Sequence, residues 1–224
     1  MKLEINKNEV LRYLGYKGQD YSDSLDKLIN DAIDKISLIA KPVYTYKTFD
    51  IEKSKETVIL KGTDIGLSGS DILHHLDGCE RCILMAVTLG VEADNLIRVS
   101  QTTDMSKAII LDACATDMTE RLFDFVQDEI KKENPFITHR FSPGYGDMPL
   151  ESQTDICRVL DTYRKIGLSV TENSLMIPRK SVTAVIGISK KSLTPSLTGC
   201  KICPMNNTCE FSKEGKSCDS ERIS

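Results

Sequence analysis

A loop with two glycines around a tyrosine is the segment of this sequence best suited to bind a ligand. It reads His139-Arg-Phe-Ser-Pro-Gly-Tyr-Gly-Asp-Met-Pro-Leu. The glycines on either side of Tyr145 allow a tight backbone path and the close approach of a flat ligand. Arg140 precedes the turn, and its planar guanidinium suits bidentate capture of a carboxylate. On residue chemistry alone, a structural turn beside a surface arginine is the alternative interpretation.

Four cysteines form a second candidate site near the end of the sequence. They are spaced as Cys200-x2-Cys203-x5-Cys209-x8-Cys218 in a polar segment. Thiolate ligation of zinc or of an iron–sulfur cluster would order a segment that has too few apolar residues to build a core. The spacing fits no standard template for either metal, so four reduced free thiols are the alternative.

The other cysteines and the histidines carry no comparable pattern. We predict that Cys79, Cys82, Cys114 and Cys157 are buried structural thiols, since cysteine is among the most buried residue types. The three histidines, His74, His75 and His139, show no metal-ligand spacing. We expect surface or packing roles for them.

The elements around the glycine loop follow from hydrophobic periodicity. A long helix is predicted over 105–132, with an apolar stripe formed by Ile110, Cys114, Met118, Leu122 and Phe125. The loop is preceded by an extended segment at 137–140 and followed by a helix from Pro149 to about Lys165, with Gly167 as its stop. The alternating residues of 181–188 predict a strand.

The same reasoning assigns the remaining elements. Helices are predicted at 7–14, at about 22–40, from Ser68 or Ser70 as a cap to His75, and at about 92–99; strands are predicted at 43–51, 57–60 and 82–89. Strands and helices do not alternate regularly, which favours an α+β fold with an antiparallel or mixed sheet and long flanking helices. No G-x-G-x-x-G lies at a strand-to-helix turn, so a Rossmann unit is not supported.

Composition and charge narrow the class of protein and its possible partners. The chain has 224 residues and a formal charge of -4, with 40% hydrophobic and 28% charged residues, which is ordinary for a globular protein. The mild acidity gives no general attraction to nucleic acid. No run of apolar residues reaches the length of a membrane helix, and the N-terminus lacks the apolar core of a signal peptide. We therefore expect a cytoplasmic protein with no nucleic-acid or membrane partner.

Two blocks of the sequence resemble one family in the same order. Arg140-x-x-x-Gly144-Tyr145-x-x-x-Pro149 is similar to the R-x-x-x-G-Y-x-x-x-P signature of the S-adenosylmethionine-binding activation domain of cobalamin-dependent methionine synthase. The segment 166–184, Ile-Gly-Leu-Ser-Val-Thr-Glu-Asn-Ser-Leu-Met-Ile-Pro-Arg-Lys-Ser-Val-Thr-Ala, resembles the family's second block. Thr88-Leu89-Gly90 and 113–122 resemble further segments of short family members, so the likeness covers about residues 7–190.

The resemblance implies a site and a partner. It implies that Arg140 holds the methionyl carboxylate, and that the backbone of Ser142, Gly144 and Tyr145 contacts the adenosine while Tyr145 closes the pocket. Glu120 aligns with a family glutamate that faces the ligand, although by residue type alone it is a solvated charge. The cobalamin would be carried by a methionine synthase core, with flavodoxin or ferredoxin as electron donor. No catalytic Ser, Cys or His is expected, because the nucleophile is cobalt(I).

The sequence also departs from the family. The family's P-D-H is Pro149-Leu150-Glu151 here, which puts any role of that histidine in doubt. The substrate-, folate- and cobalamin-binding modules of the complete synthase do not fit in 224 residues, so we expect a free-standing accessory component acting in trans. The expected division is a ligand-binding domain at 1–192 and a cysteine-rich tail at 193–224. Glu172 is expected to be structural.

Three alternatives stay open at this stage. The client could be another corrinoid protein. The chain could instead be a cysteine-cluster redox or sensor protein that uses S-adenosylmethionine as a signal. A purely structural interaction module would bind no ligand at all.

Overall fold

The computed structural model describes residues 3–16 and 18–191. In chain order the elements are α1 (Lys7–Tyr13), α2 (Asp23–Ile39), β1 (Val43–Lys53), β2 (Thr57–Leu60), β3 (Gly66–Ser68), α3 (Ser70–His75), β4 (Arg81–Thr88), α4 (Val91–Thr103), α5 (Met105–Glu133), α6 (Ser152–Leu160), α7 (Thr162–Ile166), β5 (Ser169–Val170), β6 (Met176–Ile177) and β7 (Ser181–Ile188).

One sheet of five strands has the order β3-β2-β1-β4-β7. β1 pairs antiparallel with β2, with Ile51 opposite Leu60, and β2 pairs antiparallel with β3. β5 and β6 form a separate antiparallel pair. The prediction of an α+β fold with an antiparallel sheet is confirmed.

The chain folds as two compact units built from interleaved segments. Among the described residues, the first consists of 3–16, 18–45, Ala86–Lys132 and Asp161–Val182, and the second of Tyr46–Met85, Glu133–Leu160 and 183–191. Large side chains that are almost fully buried occur in both. Those of the first unit include Ile29, Ile36, Leu89, Leu111 and Leu122, and those of the second include Leu60, Leu67, Ile72, Leu76, Ile83, Leu84 and Met85.

Local sequence signals set several of these boundaries. The Ser22 hydroxyl accepts a hydrogen bond from the Leu25 amide and so caps α2. Gly15 follows α1 with a φ of 87°. On α5, Ile110, Cys114, Met118 and Leu122 are buried as the apolar stripe predicted.

The predicted helix from Pro149 to Lys165 is wrong as one element. Residues 149–151 form a turn, and α6 begins only at Ser152. Asp161 then adopts the left-handed region, at φ 53° and ψ 47°, and separates α6 from α7. The apolar pattern runs on through this break, so periodicity alone predicts a continuous helix.

The predicted cap of α3 is also wrong. Gly69 occupies the N-cap position with no side-chain cap of its own, and Ser70 is the first helical residue. The short strands β3, β5 and β6 were not predicted, because two or three residues are too few to show alternation.

Candidate functional site

The segment that carries Arg140 is held in place by β7, within the second unit. The amide of Thr138 donates to the Gly187 carbonyl at 2.9 Å, and Phe141 and Val185 exchange backbone hydrogen bonds at 2.9 and 2.8 Å. Arg140 lies between these two anchors and is half-buried, with its Nη1 atom inaccessible to solvent. A guanidinium held in this way is a strong partner for a carboxylate, since screening by water is reduced.

The loop after Arg140 closes on itself. The Gly144 amide donates to the Met148 carbonyl at 3.0 Å, and the Met148 amide donates to the Tyr145 carbonyl at 3.1 Å. Gly144 has a φ of 86°, which favours glycine. The Tyr145 side chain is left 55% exposed, with its ring edge-on to the buried Phe141 ring at 6.3 Å. An exposed aromatic face fixed by a buried one is suited to stacking on a flat ring.

Two amides at the tip of the loop are committed to this closure. The amide of Gly144 donates to Met148, and the amide of Tyr145 donates to the Ser142 carbonyl at 3.1 Å. In this conformation these two amides are therefore not the groups that a nucleoside would use. Carbonyl oxygens accept two hydrogen bonds each, so the loop's carbonyls and the Tyr145 ring stay available as contacts.

A buried histidine supports the extended segment that precedes the loop. His75 is buried; its Nε2 lies 2.8 Å from the Thr138 hydroxyl, and its ring centre lies 4.9 Å from that of Phe141. Burial lowers the pKa of His75 to about 4, so the ring is neutral at neutral pH. His74 and His139 are exposed. These positions agree with the surface and packing roles expected for the histidines.

Asp147 is a structural residue of the loop that the sequence did not reveal. Its carboxylate accepts hydrogen bonds from the Ser70 amide and hydroxyl, both at 2.6 Å, and from the Asp71 amide at 2.9 Å. In return, the Asp71 carboxylate accepts the Asp147 amide at 3.1 Å. The loop is thus tied to the start of α3, which lies about seventy residues earlier in the chain. No local sequence signal reports a pairing over that distance.

The remaining predicted ligand residues are Ser142 and Glu120. Ser142 is half-buried within the loop. Glu120 belongs to the first unit, where it is half-buried on α5. One turn earlier, Asp117 is buried and accepts the Asn6 amide at 2.7 Å, and burial raises the pKa of its carboxyl.

A cavity of about 280 Å³ lies in the first unit. It is lined by the C-terminal ends of α1 and α4 and by the first half of α5, including Leu14, Met105 and Asp112. None of Arg140, Ser142, Gly144, Tyr145 and Glu120 lines it. The loop at Arg140–Tyr145 therefore stays the candidate ligand site.

The chain is similar to proteins of one known family. The family model of the vitamin B12 dependent methionine synthase activation domain matches residues 34–194, which is well over half of the chain. The chain belongs to this family. A solved structure described as the MetH reactivation domain bound to AdoHcy matches with a TM-score of 0.67 and 17% identity, over 96% of this chain and 82% of that one. None of the curated proteins compared matches this chain.

Membership of the activation-domain family confirms the resemblance on which the sequence analysis rested. The matched range contains both blocks, at 140–149 and at 166–184, and ends before Cys200. The similar structure shares the fold. The cysteine-rich segment therefore lies beyond the part of the chain that the family model matches.

The cysteines of the described residues behave as predicted. Cys79, Cys82, Cys114 and Cys157 are all buried free thiols. Burial raises the pKa of Cys82 and of Cys114 to about 12. Within 3–16 and 18–191, no cluster of three or more His, Cys, Asp or Glu side chains is arranged to hold a metal ion.

Two further expectations concern the tail and the membrane. The predicted metal ligands Cys200, Cys203, Cys209 and Cys218 lie outside the described residues. A membrane-spanning helix was not expected from the sequence. In the part of the chain that the structure describes, no helix has the length and apolar content to cross a lipid bilayer. Glu172 is exposed in the turn between β5 and β6, and its structural role stays a prediction.

Proposed function

We propose that this chain binds S-adenosylmethionine through the loop at Arg140–Tyr145. We further propose that it supports reductive remethylation of the cobalamin on a separate methionine synthase core. The observation that carries the proposal is that one loop carries the half-buried Arg140 and the exposed ring of Tyr145. Family membership and the AdoHcy bound in the similar MetH domain support the ligand class.

The residues fit the chemistry of this ligand. S-adenosylmethionine carries a carboxylate, an amino group, a sulfonium and an adenine. Arg140 would hold the carboxylate through a charge-assisted pair, and the Tyr145 ring would stack on the adenine. Loop carbonyls would accept the adenine amino group, since the amides of Gly144 and Tyr145 are already used. Glu120 would favour the amino group or the sulfonium charge.

The proposed reaction balances with one external reductant. A donor such as flavodoxin or ferredoxin supplies one electron and S-adenosylmethionine supplies the methyl group, so the partner's cob(II)alamin becomes methylcobalamin and S-adenosylhomocysteine is released. The carbon–sulfur bond breaks and its electron pair stays on sulfur. The chain itself contributes positioning of the methyl donor and exclusion of water. That role makes it an accessory component and needs no side-chain nucleophile.

The decisive experiment follows the cobalamin spectrum. The full chain is mixed with a cobalamin-loaded synthase core, S-adenosylmethionine and a one-electron reductant. We expect the cob(II)alamin spectrum to be replaced by that of methylcobalamin. Omission of S-adenosylmethionine, or its replacement by S-adenosylhomocysteine, should leave the cobalamin unmethylated.

Variants of the chain separate its contribution from the background. Arg140→Ala should slow the conversion, whereas Arg158→Ala should not, because Arg158 forms an exposed ion pair with Asp64 at 3.1 Å that is unrelated to the loop. Conversion at the same rate without the chain would overturn the proposal. Conversion of a different corrinoid protein, but not of a methionine synthase core, would assign the activity to another client.

A further inference from the structure

We propose that Asp147, Ser70 and Asp71 form a clasp that positions the ligand-binding loop, so that they act as positioning residues for S-adenosylmethionine. The inference rests on the proposed function. Four hydrogen bonds of 2.6–3.1 Å join the loop to the first turn of α3, three of them to the Asp147 carboxylate. A carboxylate that accepts hydrogen bonds from two amides and a hydroxyl is a directional anchor.

The clasp requires glycine on both sides. A Cβ at Gly146 would lie 2.0 Å from Oδ2 of Asp71, and a Cβ at Gly69 would lie 2.7 Å from Oδ1 of Asp147. Both glycines also have positive φ, at 54° and 124°. A side chain at either position would therefore push the two carboxylates away from their partners. The two segments are built to approach this closely.

Charge keeps the clasp closed near neutral pH. The hydrogen bond from the Ser70 hydroxyl, followed by those from the Asp71 and Ser70 amides, lowers the pKa of the Asp147 carboxyl below its ordinary value. The amides at the start of α3 also carry the positive end of the peptide dipoles, which favours an anion there. Asp147 thus supplies the cap that neither Ser68 nor Gly69 provides.

The position of Asp147 in the loop links the clasp to ligand binding. It lies between Tyr145 and Met148, whose backbone hydrogen bond closes the turn. Fixing Asp147 therefore fixes the backbone that presents the Tyr145 ring and the loop carbonyls. A loop ordered before the ligand arrives does not pay its ordering entropy on binding, and its affinity is higher for that reason.

The test compares S-adenosylmethionine affinity with fold integrity. Asp147→Ala should raise the Kd about tenfold. Ser70→Ala should raise it about threefold by loss of one hydrogen bond, and Ser70→Thr should restore it because the hydroxyl is kept. The double variant should bind no more weakly than Asp147→Ala alone, since both changes remove the same interaction. Calorimetry is performed at a temperature where circular dichroism shows every variant folded.

Arg158→Ala is the matched control. It removes exposed polar contacts of the second unit, to Asp64 and Asp155, and should leave the Kd unchanged. A clasp with only a structural role would lower the melting temperature and leave the Kd of the folded variants at the wild-type value, and that result overturns the inference. A wild-type chain that binds neither S-adenosylmethionine nor S-adenosylhomocysteine overturns the proposed function instead.

Amide hydrogen exchange of the ligand-free protein tests the clasp independently of ligand affinity. Loss of the clasp should speed exchange of the Tyr145 and Met148 amides, which close the loop. It should leave the Phe141 amide unchanged, because β7 holds that amide. Unchanged exchange at Tyr145 and Met148 in Asp147→Ala would also overturn the inference.

Discussion

The Nε2 atom of His75 lies 2.8 Å from the Thr138 hydroxyl, and both side chains are buried. The same hydroxyl accepts the Gly187 amide at 2.7 Å and lies 2.9 Å from the His139 carbonyl. One hydroxyl therefore joins α3, β7 and the segment leading to Arg140. Burial of the ring favours the neutral imidazole, which ties the stability of the second unit to pH.

The first prediction concerns acid destabilisation through His75. Its pKa is about 4 when folded, against an ordinary 6.5, so between these values the unfolded chain binds the extra proton. The contribution of the neutral His75 ring to the free energy of unfolding is fully present above pH 6.5, falls as the pH drops, and is lost by about pH 4. A pKa shift of this size corresponds to about 3 kcal/mol of that free energy. Urea unfolding across this range should show a steeper pH dependence for wild type than for His75→Gln. His139→Gln, at an exposed site, should keep the wild-type slope; a His75→Gln slope equal to wild type would contradict the assignment.

The second prediction concerns ligand affinity. Loss of one member of a buried, hydrogen-bonded charge pair costs about 2–5 kcal/mol. Arg140→Ala should therefore weaken S-adenosylmethionine binding by well over tenfold, as measured by calorimetry. Arg140→Lys should recover only part of the loss, because lysine lacks the planar fork. Undiminished binding by a folded Arg140→Ala variant would remove Arg140 from the site.

The third prediction concerns thiol reactivity. With a pKa of about 12, Cys82 and Cys114 are almost entirely protonated at pH 8, with a thiolate fraction of about one in ten thousand. Iodoacetamide should leave both unmodified in the native protein and modify both in urea. Peptide mass spectrometry provides the measurement. Rapid labelling of Cys114 without denaturant would show that its surroundings open readily.

The fourth prediction concerns the cysteine-rich segment. The family model ends at residue 194, and all the predicted ligand-binding residues precede it. A chain truncated after Ser192 should therefore fold and bind S-adenosylmethionine like the full chain. Metal analysis of anaerobically purified full-length protein should find zinc or iron, and replacement of Cys200, Cys203, Cys209 and Cys218 by serine should abolish it. Loss of ligand binding on truncation would show that the cysteine-rich segment contributes to the ligand site. Absence of metal would show that the four cysteines are free thiols.

Elements in which a regular hydrophobic pattern extends over many residues were predictable. The strand at Ser181–Ile188 has the predicted bounds, and α5 extends the predicted helix by a single residue at its end. Features set by one residue's backbone were not predictable. Asp161 adopts a left-handed conformation that non-glycine residues rarely take, and Gly66–Ser68 is too short to alternate.

The candidate site divides in the same way. Arg140, Gly144 and Tyr145 could be proposed because they match a family signature that is local in the sequence. The partners of Asp147 could not, because Ser70 and Asp71 come from a different segment of the chain. The use of the Gly144 and Tyr145 amides within the loop was also invisible, since it depends on the turn that Met148 completes.

The clasp also has an evolutionary consequence. Because Asp147 replaces a missing cap on α3 while Ser70 anchors the loop, neither position is free to drift alone. Among homologues, residue types at these two positions should change together, with small residues retained at Gly69 and Gly146. Transfer of the decapeptide Arg140–Pro149 to another scaffold would carry the signature without its anchor, so a functional graft must bring the start of α3 with it.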